Sequence, residues 1–215
     1  MLSLANWQLN RLEAREVSNT ATKTAMSLRP IPIRTSNLPP DVGEFRRATI
    51  TGKAEAQHTV YRRYPLKDGR TGYYVLRPYR LSGGGLMMVN EGWLPVDIGK
   101  DDVLPMPDNG AKSVQLEGLL RDFENKGGSV GATIGGLPTV AGIEQSQLTG
   151  LVGAGPLAPK WLQLTNPQPG PPLEGLSGPD LSKGPHRSYA LQWLAFTVIT
   201  IVGYGVLLRR TAKEP

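Results

Sequence analysis

The sequence predicts an α+β membrane protein. Its parts are an external, mostly antiparallel β domain, an N-terminal helix that ends a truncated transmembrane span, and a C-terminal transmembrane helix. Three observations predict this. From Ser188 to Leu208 there are 21 residues without a charge, roughly 31 Å of helix, which matches the hydrocarbon thickness of a bilayer. After Pro39 and Pro40 the chain changes to short runs rich in Val, Ile, Thr, Tyr and Leu with turn residues between them. Ahead of these runs Leu4, Trp7, Leu9 and Leu12 recur near helical spacing.

The first helix is expected over residues 3–28, because Arg29-Pro30-Ile31-Pro32 forces extended backbone after it. Residues 1–7 resemble the end of an apolar segment, with no basic n-region or cleavage site of a signal peptide. Two routes then take the body across the membrane: the C-terminal span alone inserts late, or a first span ending near Trp7 has its earlier turns upstream of Met1, and the second is preferred. Strands are expected over 48–51, 59–64, 73–80, 86–90, 114–121 and 161–164. Lys67-Asp68-Gly69 and Ser82-Gly83-Gly84-Gly85 suit hairpin turns, where glycine supplies positive φ without steric cost. Residues 125–155 are rich in glycine and read as a surface insertion with a short helix over 143–151. The resulting division is an N-terminal helix to residue 28, a β-rich domain over 29–165, a Pro/Gly-rich linker over 166–185, a span over 186–208 and a tail over 209–215.

Arg209, Arg210 and Lys213 follow the apolar run, which puts the C-terminus in the cytoplasm and the main domain in the periplasm of a bacterial inner membrane. The net charge of +6 and pI near 9.6 raise nucleic acid as a partner. The arginines are scattered in pairs through strands, as at Arg46-Arg47 and Arg62-Arg63, and no nucleic-acid motif surrounds them, so a solvated face near anionic lipid is preferred. With no cysteine there is no thiolate metal site or disulfide framework. Two histidines, no nucleophile elbow and no phosphate loop leave catalysis without an evident seat. Gly153-Ala154-Gly155-Pro156 is half a dinucleotide fingerprint with proline where the helix should open. Asp101, Asp102 and Asp108 sit in turn-like sequence and are expected to be capping or solvated. An enzyme of the cell envelope would have to gather polar groups around His58.

His186 lies at the outer mouth of the span, and helical spacing places it with Tyr189, Ala190, Trp193, Thr197, Thr200 and Tyr204 on roughly one face. Two readings of that face stay open. A neutral imidazole beside aromatic side chains suits axial ligation of haem iron. The same residue types also settle as an interfacial belt, because each has an apolar body and a polar tip.

Three separated segments resemble one family. They are Trp7-Gln8-Leu9-Asn10-Arg11, then Gly72 to Pro78 with Val89-Asn90-Glu91-Gly92-Trp93-Leu94-Pro95, and then His186 with Tyr189 to Trp193. In order and spacing they are similar to the surfeit locus protein one family, assembly factors of haem-copper terminal oxidases. Gly52 and Gly118, each read as closing a short strand, resemble its recurring pattern as well. The resemblance implies a non-enzymatic factor for cytochrome c oxidase biogenesis that binds haem a and presents it to the oxidase catalytic subunit. Haem-synthesis proteins and membrane lipid would be its other partners. It implies His186 as ligand to the haem iron and Trp193 as a haem contact beside Tyr189 of the same face, and Trp93 and Asn90 as partner-binding residues, with Trp93 as a core or docking aromatic; Arg187, which is not the family's residue, is a further haem contact by its own chemistry, through charge-assisted hydrogen bonds to a propionate. The sequence departs from the family where Glu91 replaces its usual arginine, Pro185 its usual asparagine, and Arg187 an apolar residue. A scaffold that binds protein alone, through strand edges and the Trp93 loop, is a further reading.

Overall fold

The computed structural model describes residues 1–96, 112–125 and 129–212. The carboxylates Asp101, Asp102 and Asp108 lie outside them. The chain divides into two compact units, Met1–Thr24 with Pro179–Pro215, and Ala25–Gly178.

The first unit is built on two long helices, α1 (Leu2–Ser27) and α3 (His186–Thr211). They run antiparallel: Gln8 meets His186, Asn19 meets Leu181 and Ser182, and the Met1 sulfur lies 3.7 Å from Thr200. Each helix buries one residue, Ala5 in α1 and Ala190 in α3, and such small side chains let helix backbones come close. Arg15 pairs with Asp180 at 2.7 Å and Lys183 with Glu16 at 2.7 Å, fixing the approach to α3. Beyond Thr197 every described residue of α3 is exposed, including Ile199 and Ile201 at 65% each. A helix 26 residues long that exposes its apolar side chains is long and apolar enough to cross a membrane.

The second unit is a mixed sheet of β1 (Ile31–Ile33), β2 (Arg47–Ala54), β3 (Val60–Lys67), β4 (Arg70–Leu81), β5 (Leu86–Pro95), β6 (Val114–Asp122), β7 (Val130–Ile134), β8 (Leu137–Val140) and β9 (Lys160–Asn166). Its order is β1-β2-β6-β9-β5-β4-β3-β8-β7. Most pairings are antiparallel, while β1–β2, β3–β8 and β5–β9 are parallel. A second pairing of β2, with β4 through Gly52–Ala54, closes β2, β6, β9, β5 and β4 into a ring. Gly52 is the corner: it faces Val114 of β6 and Leu81 of β4, and a Cβ there would meet the Arg80 carbonyl oxygen at 2.5 Å. It lies inside β2 rather than closing it, and Gly118 lies inside β6 in the same way.

Alternation along the strands sorts the core. Ile50, Tyr79, Leu81, Met87, Val89, Leu116, Leu120, Leu162 and Leu164 form one buried cluster. The other face gathers Val60, Leu76, Leu86, Met88 and Trp161 with Ile143, Leu148 and Val152 around helix α2 (Gln145–Thr149). The glycine-rich stretch read as an insertion thus carries a hairpin, turning at Gly135 and Gly136 with positive φ, and supplies part of this second cluster. Asp68 and Gly69, both at positive φ, make the β3–β4 turn expected there. Of the stretch read as a linker, residues 166–178 pack as part of the β unit: Glu174 exchanges backbone hydrogen bonds with Trp93 at 2.8 Å, and Gln163 Nε2 donates to the Ser177 carbonyl at 2.8 Å.

Candidate functional site

In the helical unit His186 opens α3 directly after Pro185, whose fixed φ suits the start of a helix and whose carbonyl accepts from the Ser188 hydroxyl at 2.8 Å. The imidazole is half-buried, with Nδ1 2.8 Å from Gln8 Oε1. With that oxygen as acceptor, Nδ1 carries the proton and Nε2 keeps its lone pair, the tautomer an iron ligand needs. The heptad-like line His186, Ala190, Trp193 and Thr197 is the less exposed face of α3, whereas Tyr189, Thr200 and Tyr204 are exposed. The expected face is therefore divided, with Tyr189 beside the line rather than on it. Trp193 stacks edge-on against Phe196 with ring centroids 6.0 Å apart, and Thr197 bonds back to the Trp193 carbonyl at 2.8 Å. Arg187 is exposed and enters no ion pair among the described residues. Of these residues, His186 oriented by an amide could ligate a haem iron, the exposed Arg187 guanidinium could reach a propionate, and Trp193, about two turns farther along α3, could offer aromatic surface. Gln8 escapes sequence reasoning as a functional residue, although it belongs to the Trp7-Gln8-x-x-Arg11 motif.

In the β unit Asn90 and Trp93 lie in β5, every residue of which is buried. Trp93 has no exposure, so the structure places it in the interior, under Arg70 and Lys67, whose charges stand 4.8 and 5.7 Å from the indole. Between them sits Glu91, the extra residue of a bulge in which Val75 faces Gly92 and Leu76 faces Asn90. Its carboxylate pairs with the buried Arg77 at 3.0 Å and accepts from the Tyr79 hydroxyl at 2.6 Å, while Arg77 Nε donates to the Thr59 hydroxyl at 3.1 Å. Glu91 and Tyr79 line a cavity of about 660 Å³ with Leu116, Leu164 and the proline-rich loop of residues 167–173.

Burial pushes the Glu91 carboxyl above its usual range, with Arg77 and then the Tyr79 hydroxyl drawing it back, and burial beside Glu91 raises the Tyr79 phenol strongly. A carboxyl raised on folding keeps its proton longer in the folded than in the unfolded state. Its contribution to stability is present below the ordinary value of 4.5 and is lost as pH rises through the folded value. The unfolding free energy of the unaltered protein is expected to fall more steeply above pH 4.5 than that of Glu91→Gln, as read from urea unfolding across pH. A shallower fall would show that the Arg77 attraction outweighs burial.

His58 sits in a short 3-10 turn (Ala56–His58) and lines neither this cavity nor the second one of the β unit. No cluster of three or more His, Cys, Asp or Glu suited to a metal occurs among the described residues.

Comparison with known proteins bears on the whole chain. Uncharacterized SURF1-like proteins of Mycobacterium bovis and of two strains of Mycobacterium tuberculosis are 30% identical to it over 208 residues, covering 94% of this chain and 75% of theirs. The model of the SURF1 family matches residues 1–198, a stretch that holds the Gln8–His186 pair, the closed ring of strands and the first half of α3. With α1, the whole sheet and the start of α3 inside the match, this chain belongs to the SURF1 family.

Proposed function

We propose that this protein is a membrane-anchored, non-enzymatic assembly factor for the haem-copper terminal oxidase, which binds haem a and presents it to the oxidase catalytic subunit. Membership of the SURF1 family, which is linked to cytochrome oxidase assembly, supports the oxidase half of this reading. The observation that carries the haem half is the 2.8 Å hydrogen bond between His186 and Gln8. A carboxamide that holds Nδ1–H orients the ring and raises its basicity as a ligand. When bound, a haem would supply an iron that accepts a nitrogen ligand and an apolar ring with propionates. His186 offers Nε2, Trp193 and Tyr189 offer aromatic surface, and Arg187 offers a charge-assisted hydrogen bond to a propionate. In this reading α3 crosses the bacterial inner membrane, with Arg209 and Arg210 on the cytoplasmic side and the β unit in the periplasm. Haem-synthesis proteins stand on the donor side and the oxidase catalytic subunit on the acceptor side.

The test is co-purification of the full-length protein with haem from a haem a-producing host. His186→Ala is expected to lose the bound haem and its Soret band. Gln8→Leu is expected to retain haem with a shifted midpoint potential, since the ligand remains and its orienting bond is gone. Unchanged haem stoichiometry and spectrum in His186→Ala would remove the ligand assignment. Deleting the gene is expected to lower oxidase activity and oxidase haem content together, and normal values of both would end the assembly reading.

A further inference from the structure

The cavity that Glu91 and Tyr79 line lies at the mouth of the closed ring of strands. Alternation puts Arg77, Tyr79 and Leu81 of β4 on the inward face of the ring, and Glu91 follows Met87 and Val89 on the same face of β5. With Leu116 and Leu164, strands β4, β5, β6 and β9 all reach the cavity. Its volume of about 660 Å³ falls within the range of small-ligand sites, which favour the mouths of barrels.

The outer wall of this cavity is anchored at both ends. The loop of residues 167–173 leaves β9 at Asn166, which pairs with Glu117 of β6, and returns at Glu174, whose backbone exchanges hydrogen bonds with Trp93 at 2.8 Å. The Glu174 carboxylate adds Lys67 at 2.7 Å and Arg70 at 2.9 Å, and Gln168 Nε2 donates to the Thr165 carbonyl at 2.9 Å. Pro167, Pro169, Pro171 and Pro172 leave the loop few alternative conformations. A site so framed needs little ordering when a ligand enters.

The polar groups of the lining narrow the ligand. Among the described residues of the lining, Glu91 is the one charged side chain, and its charge is matched by Arg77, which does not itself line the cavity. A cationic ligand would bury a second positive charge beside this pair, and an anionic one would face the carboxylate, so a neutral molecule is favoured. A carboxylate offers about four acceptor positions on its two oxygens. Glu91 Oε1 accepts from the Tyr79 hydroxyl at 2.6 Å and from Arg77 Nη1 at 3.2 Å, whereas Oε2 faces Arg77 Nη1 at 3.0 Å and has capacity to spare. The site can take one more donor, and Val114, Leu116, Leu164 and Leu173 around it suit an apolar body. We infer that this cavity binds a neutral, apolar alcohol whose hydroxyl donates to the Glu91 carboxylate. Its apolar body lies along Leu116 and Leu164 beneath the proline-rich loop. Every residue of the lining belongs to the β unit, so the inference stands apart from the haem reading.

The test is a titration of the full-length protein in detergent, carbon-13-labelled at its leucine methyl groups, with 1-octanol, following the Leu116, Leu164 and Leu173 signals. Saturable movement of those signals is expected. Octyl methyl ether, which lacks the donor, and the ions octylammonium and octanoate should each bind at least about tenfold more weakly at equal free concentration. Comparison with 4-butylphenol separates the two sources of a hydroxyl: tighter binding of the phenol identifies an aromatic alcohol, and the reverse an aliphatic one. In the triple variant Arg77→Met, Glu91→Met, Tyr79→Phe the preference for octanol over its ether is expected to vanish, because the acceptor is gone. Val114→Trp, at the half-buried rim, fills the mouth and is expected to weaken octanol binding at least about tenfold; it decides the matter if the triple variant does not fold. Absence of saturable movement, equal binding of alcohol and ether, or tighter binding of either ion would overturn the inference. So would an octanol preference kept by the triple variant, or an unchanged affinity in Val114→Trp.

Discussion

Gly118→Val is expected to abolish cooperative folding of the β unit. Gly118 sits mid-strand in β6, paired with Ala48 of β2 on one side and with Leu164 of β9 on the other. The β6–β9 register shifts between Glu117 and Gly118, and this bend turns the Gln163 carbonyl onto the glycine. A Cβ would fall on that carbonyl oxygen and 2.8 Å from Leu162 Cγ, and Leu162 has no exposure. Both neighbours are fixed, one by the strand ladder and one by the core, so the clash cannot be relieved by a flexible side chain. Such overpacking costs about 3 kcal/mol or more, against a total stability of about 5–15 kcal/mol for a domain. Thermal unfolding followed by circular dichroism would show it as loss of the transition or a much lower midpoint. Gly43→Ala, where a Cβ meets nothing within 4 Å, is the matched control and should stay within about 0.5 kcal/mol of the parent. A Gly118→Val protein that melts with the parent would contradict the packing.

The strands around Gly118 are legible in the sequence because each is a short run rich in Val, Ile, Thr or Leu, and the turns because Asp68-Gly69 and Gly84-Gly85 need positive φ. Closure of the ring was not legible. It depends on β2 meeting β4, about thirty residues away along the chain, and Gly52 at that corner looks like a strand end until its second partner is known. Strand β5 was expected to stop at Asn90, since Asn90-Glu91-Gly92 breaks an apolar run. It continues to Pro95 because Arg77 and Tyr79 on β4 neutralise and bond Glu91, a compensation that local pattern cannot register. The hairpin β7–β8 was hidden for a related reason, its glycines suggesting a surface loop while Val140 is fully buried. At the helical site His186 could be singled out by its place at the mouth of an apolar run. Gln8, which orients it, stands 178 positions away, and only the packing of α1 on α3 joins them.

Arg77→Met is expected to cost about 3–5 kcal/mol near neutral pH, because it leaves the Glu91 carboxylate buried without its counter-ion. The side chains of Arg77 and Glu91 are 3% and 7% exposed, so water cannot replace the lost partner. The cost should shrink as pH falls. Without Arg77 nothing cationic opposes the burial that already raises the Glu91 carboxyl, and the group can take a proton instead of remaining an unpaired charge. Glu91→Met alone removes the counter-charge of the guanidinium, which keeps its bond to Thr59 but cannot neutralise itself, so its cost should be similar near neutral pH but should not shrink in acid. Replacing both charges removes the electrostatic penalty and leaves the Tyr79 hydroxyl without its acceptor at 2.6 Å, a remaining cost of about 1–3 kcal/mol. The triple variant Arg77→Met, Glu91→Met, Tyr79→Phe should therefore recover most of the parental stability. Urea unfolding of the set at pH 5 and pH 8 separates these terms. If Arg77→Met lost no more stability at pH 8 than at pH 5, Glu91 would not be the charge that Arg77 balances. The cluster would then act as a hydrogen-bonded core in which the carboxyl is already neutral.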